Sequence, residues 1–331
     1  MSHSHYSFDP LLSAEGAERM VRICEEFGAF KMYSEEPTFP GMIGEGLPAR
    51  WDAARNFVKT GGRFGRSEPL QVLAARTNYF RETYAYGNEE RVEGIAPFLR
   101  HEGFIEASRQ LFGRPIVEPA IVYANLLVPG QELAIHTDVP EFRGVNRKKH
   151  PQWLIVVMHH SGLFEQWRMP IATGVSWFHD CSGGEFVFYP DGAEGPPAVL
   201  PAKRNTAILL DTDSVFHGVD RVGVDAELAP LRPGMRLQFD GAARWSVRNG
   251  DAIVASYAWD ELRFSISWKA YCFADDAERR AWREHTDDLQ LDAILDRLVE
   301  DLRSRGRITS ARPSPTDLAL LIIDEYIKFP S

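Results

Sequence analysis

Apolar residues recur at helical spacing between positions 13 and 28. Met20, Ile23, Cys24 and Phe27 share one face, Ser13 can cap the start and Gly28 can end it, so an amphipathic helix is predicted there. Residues 29–85 hold no sustained period and read as irregular. Residues 88–113 return to a helical pattern through Val92, Ile95, Leu99, Leu111 and Phe112, broken at Pro97 and Gly103. From residue 116 the pattern shortens to runs of β-branched and aromatic residues at 116–128, 153–160, 185–189, 206–210, 252–259 and 262–273. Turn residues separate them, as at Pro129-Gly130, Gly183-Gly184, Asp191-Gly192 and Gly195-Pro196-Pro197. Many short strands with turn signals predict a mainly β core, a sandwich or barrel. The aromatic-rich stretch 161–181 reads as a lid or substrate wall. The C-terminus is helical again: Asp275 with Glu278 forms a cap, and Leu291, Ile294, Leu295, Leu298 and Leu302 mark one face. Ser314-Pro315 opens a last helix carrying Leu318, Leu321, Ile322, Tyr326 and Phe329.

Composition narrows the classes. A chain of 331 residues, 44% hydrophobic, makes one large domain or two small ones. No apolar run reaches membrane-spanning length, and the N-terminus lacks a basic segment followed by an apolar one, so neither a membrane span nor a secretory signal is expected. The formal charge of −10 argues against a nucleic-acid partner. Three scattered cysteines, Cys24, Cys181 and Cys272, make no disulfide framework and suit a reducing, cytoplasmic setting.

The chemistry concentrates after the Pro129-Gly130 turn, in Gln131-Glu132-Leu133-Ala134-Ile135-His136-Thr137-Asp138. In extended chain, positions i and i+2 face the same side, so His136 and Asp138 can address one divalent ion. A second copy, His285-Thr286-Asp287, lies in a helical pattern where such positions diverge by about 200°; it reads as a solvated helix face. His217, in Val215-Phe216-His217-Gly218-Val219, is the best third ligand. Two histidines and one carboxylate leave open coordination positions, as non-haem Fe(II) oxygenases require. In the run 262–273, period 2 puts Arg263 and Ser265 on one face and Phe264 and Ile266 on the other. A buried guanidinium beside a hydroxyl calls for an anionic partner, and Arg grips carboxylates in bidentate fashion.

In this order the pieces resemble a family. Pro129-Gly130-Gln131 leading to His136-Thr137-Asp138, then Gly183-Gly184-Glu185-Phe186 with Phe188, then Pro201 and Ala207–Leu210, then Phe216-His217-Gly218-Val219, then Arg263-Phe264-Ser265, are similar to the Fe(II)/2-oxoglutarate-dependent oxygenases of the prolyl-4-hydroxylase-like branch, over roughly residues 118–273. The resemblance implies a double-stranded β-helix, or jelly roll. His136, Asp138 and His217 would bind Fe(II), and Arg263 with Ser265 would hold the distal carboxylate of the cosubstrate 2-oxoglutarate, with O₂ as the oxidant. Arg263 stands 46 positions after His217, farther than the family spacing, which implies an insertion near residues 223–261 with turns at Pro233-Gly234 and Asn249-Gly250; otherwise Arg221, Arg232 or Arg236 would take the role. Leu127 occupies a position where the family often has a cosubstrate-holding Tyr; Tyr123 and Asn125 share its strand parity and can compensate.

The expected organisation is therefore an N-terminal helical and irregular region (1–115) packed on a jelly-roll core (116–273), followed by C-terminal helices (274–331), in one compact unit. The expected reaction is hydroxylation of an unactivated C–H bond in a small molecule, an amino acid or natural-product intermediate, with succinate and CO₂ as coproducts. A protein side chain is the second substrate class, and a non-catalytic metal-binding jelly roll is the rival from outside enzymology. Arg143, Arg147, Trp177 and His179 are the substrate-side residues to examine. The basic run Arg143, Arg147, Lys148, Lys149 and His150 can equally be a solvated loop. Asp211 and Asp213 lie close to His217 and can pair with it or cap a turn. Oligomeric state is left open.

Overall fold

The computed structural model describes residues 4–33, 42–65, 67–309 and 311–330. Eight strands form the central framework: β1 (Ile116–Leu127), β2 (Leu133–His136), β3 (Ile171–Trp177), β4 (Phe186–Phe188), β5 (Ala198–Leu200), β6 (Thr206–Leu210), β7 (His217–Val219) and β8 (Arg263–Phe273). They divide between two antiparallel sheets. The large sheet carries the order β6-β3-β8-β1 and the small one β5-β4-β7-β2. The chain thus crosses between sheets in the winding of a jelly roll, two Greek keys closed face to face.

The large sheet grows beyond this framework. His5–Phe8 pairs with β6 at one edge. Beyond β1 lie Phe80–Tyr86 and Ala29–Met32, then three strands, Arg236–Gly241, Arg244–Asn249 and Ala252–Ala258. Those three are the expected insertion between β7 and β8. They extend the sheet edge, so β8 still returns beside β1 and β3.

Strand register sorts the side chains. Arg263 pairs with Leu127, Ser265 with Asn125 and Trp177, Ser267 with Tyr123 and Val175, and Lys269 with Ile121 and Thr173. Directly opposed residues share a face, so these line the lumen between the sheets. The alternate residues Phe264, Ile266, Trp268 and Ala270 join the large core cluster with Met20, Ile23, Phe104 and Ile105 of the N-terminal helices. The predicted parity of Arg263 and Ser265 against Phe264 and Ile266 therefore holds. A second core packs the small sheet, through Val187 and Phe216, against helices Gln152–Ser161, Leu291–Ser304 and Pro315–Tyr326.

The expected helix caps are observed. Ser13 accepts from the Gly16 amide and Gly28 ends the first helix at φ 76°. Asp275 accepts from Ala277 and Glu278, and Ser314 from Asp317. Three expectations need correction. Residues 153–160 are not a strand but part of the helix Gln152–Ser161, whose residues Gln152 to Met158 are all buried. Burial on every side erases the period that separates helix from strand. Residues 161–181 are not a lid, because they contain β3, an interior strand of the large sheet. Gly174 hid this strand: the Phe104 ring sits so close that a Cβ there would lie 2.9 Å from it. Residues 29–85 are not irregular throughout, since two sheet strands and the helices Trp51–Thr60 and Leu70–Arg76 lie within them.

Candidate functional site

His136 is the last residue of β2 and His217 the first of β7, and the two are register partners. Their rings stand 4.5 Å apart between centroids. Gly218 permits this close pairing, because a Cβ there would meet the Leu133 carbonyl oxygen at 2.6 Å. Asp138 follows in the loop, pinned by its amide to the Thr212 carbonyl at 2.8 Å. Its Oδ1 lies 3.6 Å from His136 Nε2 and 3.8 Å from His217 Nε2. One ligand atom from each of the three residues falls within 4.8 Å of the others, the one such His/Cys/Asp/Glu cluster among the described residues.

Both imidazoles are oriented from behind. Nδ1 of His136 meets the Ala134 carbonyl at 2.7 Å, and Nδ1 of His217 meets that of Val215 at 2.9 Å. With Nδ1–H donating to a carbonyl, each Nε2 lone pair faces the shared space, as metal-ligating histidines require. Burial, then the adjacent His136 ring, lowers the His217 pKa to about 3, so its ring is neutral. Burial would raise the Asp138 carboxyl, but the Lys269 ammonium and the His136 hydrogen bond hold it well below the usual carboxylate range.

Lys269 was not anticipated. Its Nζ donates to Asp138 Oδ2 at 2.7 Å and to Thr173 Oγ1 at 2.9 Å. The signal was present in the alternation of β8, where Arg263, Ser265, Ser267 and Lys269 all fall on the inward parity. Asp213 is fully buried nearby, neither carboxylate oxygen has a hydrogen-bond partner, and burial followed by Asp211 raises its pKa to about 7. Asp211 pairs instead with Arg168 at 2.7 Å.

Farther along the lumen, Arg263 is 2% exposed. Its Nε donates to the Gly184 carbonyl at 2.6 Å and Nη1 to Ser265 Oγ at 3.1 Å. Among the described residues Nη2 has no partner, and neither do the neighbouring polar atoms Trp177 Nε1 and Asn125 Oδ1. Burial lowers the guanidinium pKa to about 10, yet it stays charged at neutral pH. Gly184, at φ 68°, makes room for this arm: a Cβ there would lie 2.8 Å from Arg263 Cδ. A line of rings joins the two halves of the site, with Arg263 5.8 Å from the Trp177 ring, Trp177 5.9 Å from Phe186, and Phe186 5.7 Å from His217. Buried, charged and with one nitrogen lacking an acceptor, Arg263 could take the far end of an anion whose other end reaches the His136–Asp138–His217 cluster.

The remaining sequence-predicted residues scatter. Tyr123 and Asn125 point into the lumen as their parity required, and Trp177 lies beside Arg263 on the same face. Arg143 is turned away: its guanidinium is taken by Asp287, with contacts of 2.8 and 2.9 Å, and by the Gln166 carbonyl at 2.5 Å. The second His-x-Asp is solvent-exposed as expected, but it lies at and just past a helix end rather than on a helix face. Asp287 holds Arg143, and His285 caps the helix Asp276–Glu284 at φ 56°. Arg147 reaches only the Val139 carbonyl, at 3.4 Å. His179 stacks on Trp259 at 4.4 Å, outside the lumen. Of the alternative arginines, Arg221 pairs with Glu132, while Arg232 and Arg236 are exposed.

No family model matches this sequence, and no curated protein does. Among solved structures, a prolyl-4-hydroxylase from Pseudomonas putida aligns with 82% of this chain and 94% of its own at 12% identity and a TM-score of 0.41. The α-ketoglutarate-dependent carbocyclase SnoK of nogalamycin biosynthesis aligns over 85% and 87% at 8% identity and 0.43. The prolyl hydroxylase of Trichoplax adhaerens, solved with a hypoxia-inducible-factor peptide, aligns over 84% and 87% at 11% and 0.42. At such scores the likenesses decide nothing; the jelly roll is defined by its own strand order and the site by its own side chains. No helix of the described residues is long and apolar enough to cross a membrane.

Proposed function

We propose that this chain is an Fe(II)- and 2-oxoglutarate-dependent oxygenase that hydroxylates an unactivated C–H bond of a small molecule. The observation that carries the reading is the pairing, in one lumen, of a two-histidine, one-carboxylate cluster with a buried guanidinium whose Nη2 lacks an acceptor among the described residues. Fe(II) held by His136, Asp138 and His217 would supply oxygen activation coupled to conversion of 2-oxoglutarate to succinate and CO₂.

The chain's own residues do the rest. The carbonyls of Ala134 and Val215 fix the two rings so that Nε2 faces inward. Lys269 takes the outer oxygen of Asp138, leaving the other to point at the histidines. Arg263 and Ser265 fix the distal carboxylate of the cosubstrate, and Trp177 and Phe186 shield the path between. Three protein ligands leave coordination positions open, which distinguishes this arrangement from a closed structural site.

The test is the visible spectrum after anaerobic addition of Fe(II) and 2-oxoglutarate to the metal-free protein. A weak charge-transfer band in the wild type, absent in His217→Ala and weakened in Arg263→Ala, is expected. Metal binding with no band would overturn the oxygenase reading and favour a metal-binding module.

A further inference from the structure

A second guanidinium reaches the same lumen, and the cosubstrate does not account for it. Arg81, on Phe80–Tyr86, pairs with Asn125 of β1, which in turn pairs with Ser265 of β8. It therefore stands on the inward face, two strands from Ser265. Its guanidinium leaves that row and lies 3.5 Å from the centre of the Tyr123 ring, on the Ser267 row, which is nearer Lys269 and Asp138. Tyr33 closes a second side at 5.2 Å and stacks on Tyr79 at 5.2 Å with 12° between planes. Arg81 also donates to the Tyr79 hydroxyl. Among the described residues no carboxylate reaches it.

The charges can be counted. A 2-oxo diacid has two carboxylates. The proposed function places one at the metal with the oxo group and the other at Arg263. Arg81 is then left over, half-buried and walled by aromatic rings. A guanidinium with its face on a tyrosine keeps its N–H edge for an oxyanion. The Tyr33–Tyr79 pair offers an apolar wall for the body of that molecule. Arg263 sits in a closed pocket under Gly184 and Trp177, whereas Arg81 is partly open, which suits the larger of two ligands.

We infer that Arg81, with Tyr33, Tyr79 and Tyr123, is the anchor for a carboxylate of the substrate, which makes the substrate a small organic acid with a flat or apolar body. This rests on the oxygenase reading for its role, though not for its binding test. The probe is benzoate, titrated calorimetrically into the protein loaded with redox-inert Mn(II) and 2-oxoglutarate. Benzamide and inorganic phosphate serve as comparisons. Benzoate should bind the wild type, Arg81→Met should weaken it at least tenfold, and benzamide should not bind. The affinity of Arg81→Met for 2-oxoglutarate should stay within about twofold of wild type. If Arg81→Met fails to fold, Tyr33→Leu should weaken benzoate with 2-oxoglutarate binding intact.

The inference is overturned if benzoate does not bind the wild type, if Arg81→Met leaves its affinity unchanged, or if benzamide binds equally well. Phosphate binding in place of benzoate would overturn the carboxylate assignment. A large loss of 2-oxoglutarate affinity in Arg81→Met would make Arg81 part of the cosubstrate site instead. Failure of 2-oxoglutarate to bind the wild type would remove the oxygenase reading alone, because benzoate titrated into the metal-free protein still tests Arg81.

Discussion

Replacing Arg263 by Met should leave the ligand-free protein at least as stable as the wild type while removing most of its affinity for 2-oxoglutarate. The guanidinium pKa falls from 12.5 to about 10 through burial. At 1.36 kcal/mol per unit, that corresponds to roughly 3 kcal/mol of destabilisation of the charged folded state. The sign follows from the direction: the folded value lies below the unfolded one, so the penalty is fully present at every pH below about 10. Against it stand the hydrogen bonds to Gly184 O and Ser265 Oγ, worth about 1 kcal/mol each. Met is close in length and apolar, so the ligand-free variant should gain on the order of 1 kcal/mol. Binding runs the other way. Losing a bidentate, charge-assisted contact of about 3 kcal/mol weakens 2-oxoglutarate on the order of a hundredfold. The assay is thermal unfolding of the Mn(II)-loaded protein across a 2-oxoglutarate titration. At a concentration of 100 wild-type Kd, the wild type should gain about 2.7 kcal/mol and the variant about 0.4. A ligand-free Tm several degrees below wild type, with an unchanged response to 2-oxoglutarate, would refute the reasoning and make Arg263 a structural residue.

Three further outcomes are expected. Gly184→Ala should lose about 1–2 kcal/mol from its left-handed backbone and also weaken 2-oxoglutarate, because its Cβ would displace Arg263 Cδ, 2.8 Å away; Gly192→Ala, at φ 85° with open space around it, should carry only the backbone penalty. Lys269→Met leaves the half-buried Asp138 without its cation, so chemical denaturation of the metal-free variant should show a deficit of about 1–3 kcal/mol, most of it recovered on adding Mn(II); an equal deficit with metal would count against a role beside Asp138. Asp213→Asn should stabilise the protein more at pH 8 than at pH 5. The Asp213 carboxyl titrates near 7 when folded, above its ordinary 3.8, so the folded state holds the extra proton between those values and wild-type stability falls as pH rises through that window. Parallel Tm–pH curves for the two proteins would contradict this.

The candidate metal cluster was legible in the sequence because each of its parts carries a local mark. Residues two apart on a strand end must share a side, and the apolar run 206–210 places His217 just beyond it. The pairing of Arg263 with Ser265 was legible for the same reason, and carried four positions further, past Ser267, the same alternation would have reached Lys269. Arg143 and the second His-x-Asp show the limit. Arg143 looks functional as a local pattern and the second His-x-Asp looks idle, yet Asp287 of that motif holds Arg143 across 144 residues of chain. Arg81 carried no local mark at all. Its strand lies in a stretch without sustained period, and its three tyrosines come from three separate segments.

The sequence by itself determined the helix caps, the alternation of β8, the shared side of His136 and Asp138 and the mainly β character of residues 116–273, because these depend on backbone period and on neighbours within a few positions. Tertiary structure alone decided that residues 152–161 coil into a helix, that β3 runs inside the large sheet between β6 and β8, and that Arg263 rather than Arg221, Arg232 or Arg236 reaches the lumen. Each of these turns on which surfaces are buried together. A fully buried segment shows no amphipathic period, and an insertion of three strands at a sheet edge leaves β8 in place beside β1 and β3 however far it moves Arg263 along the chain.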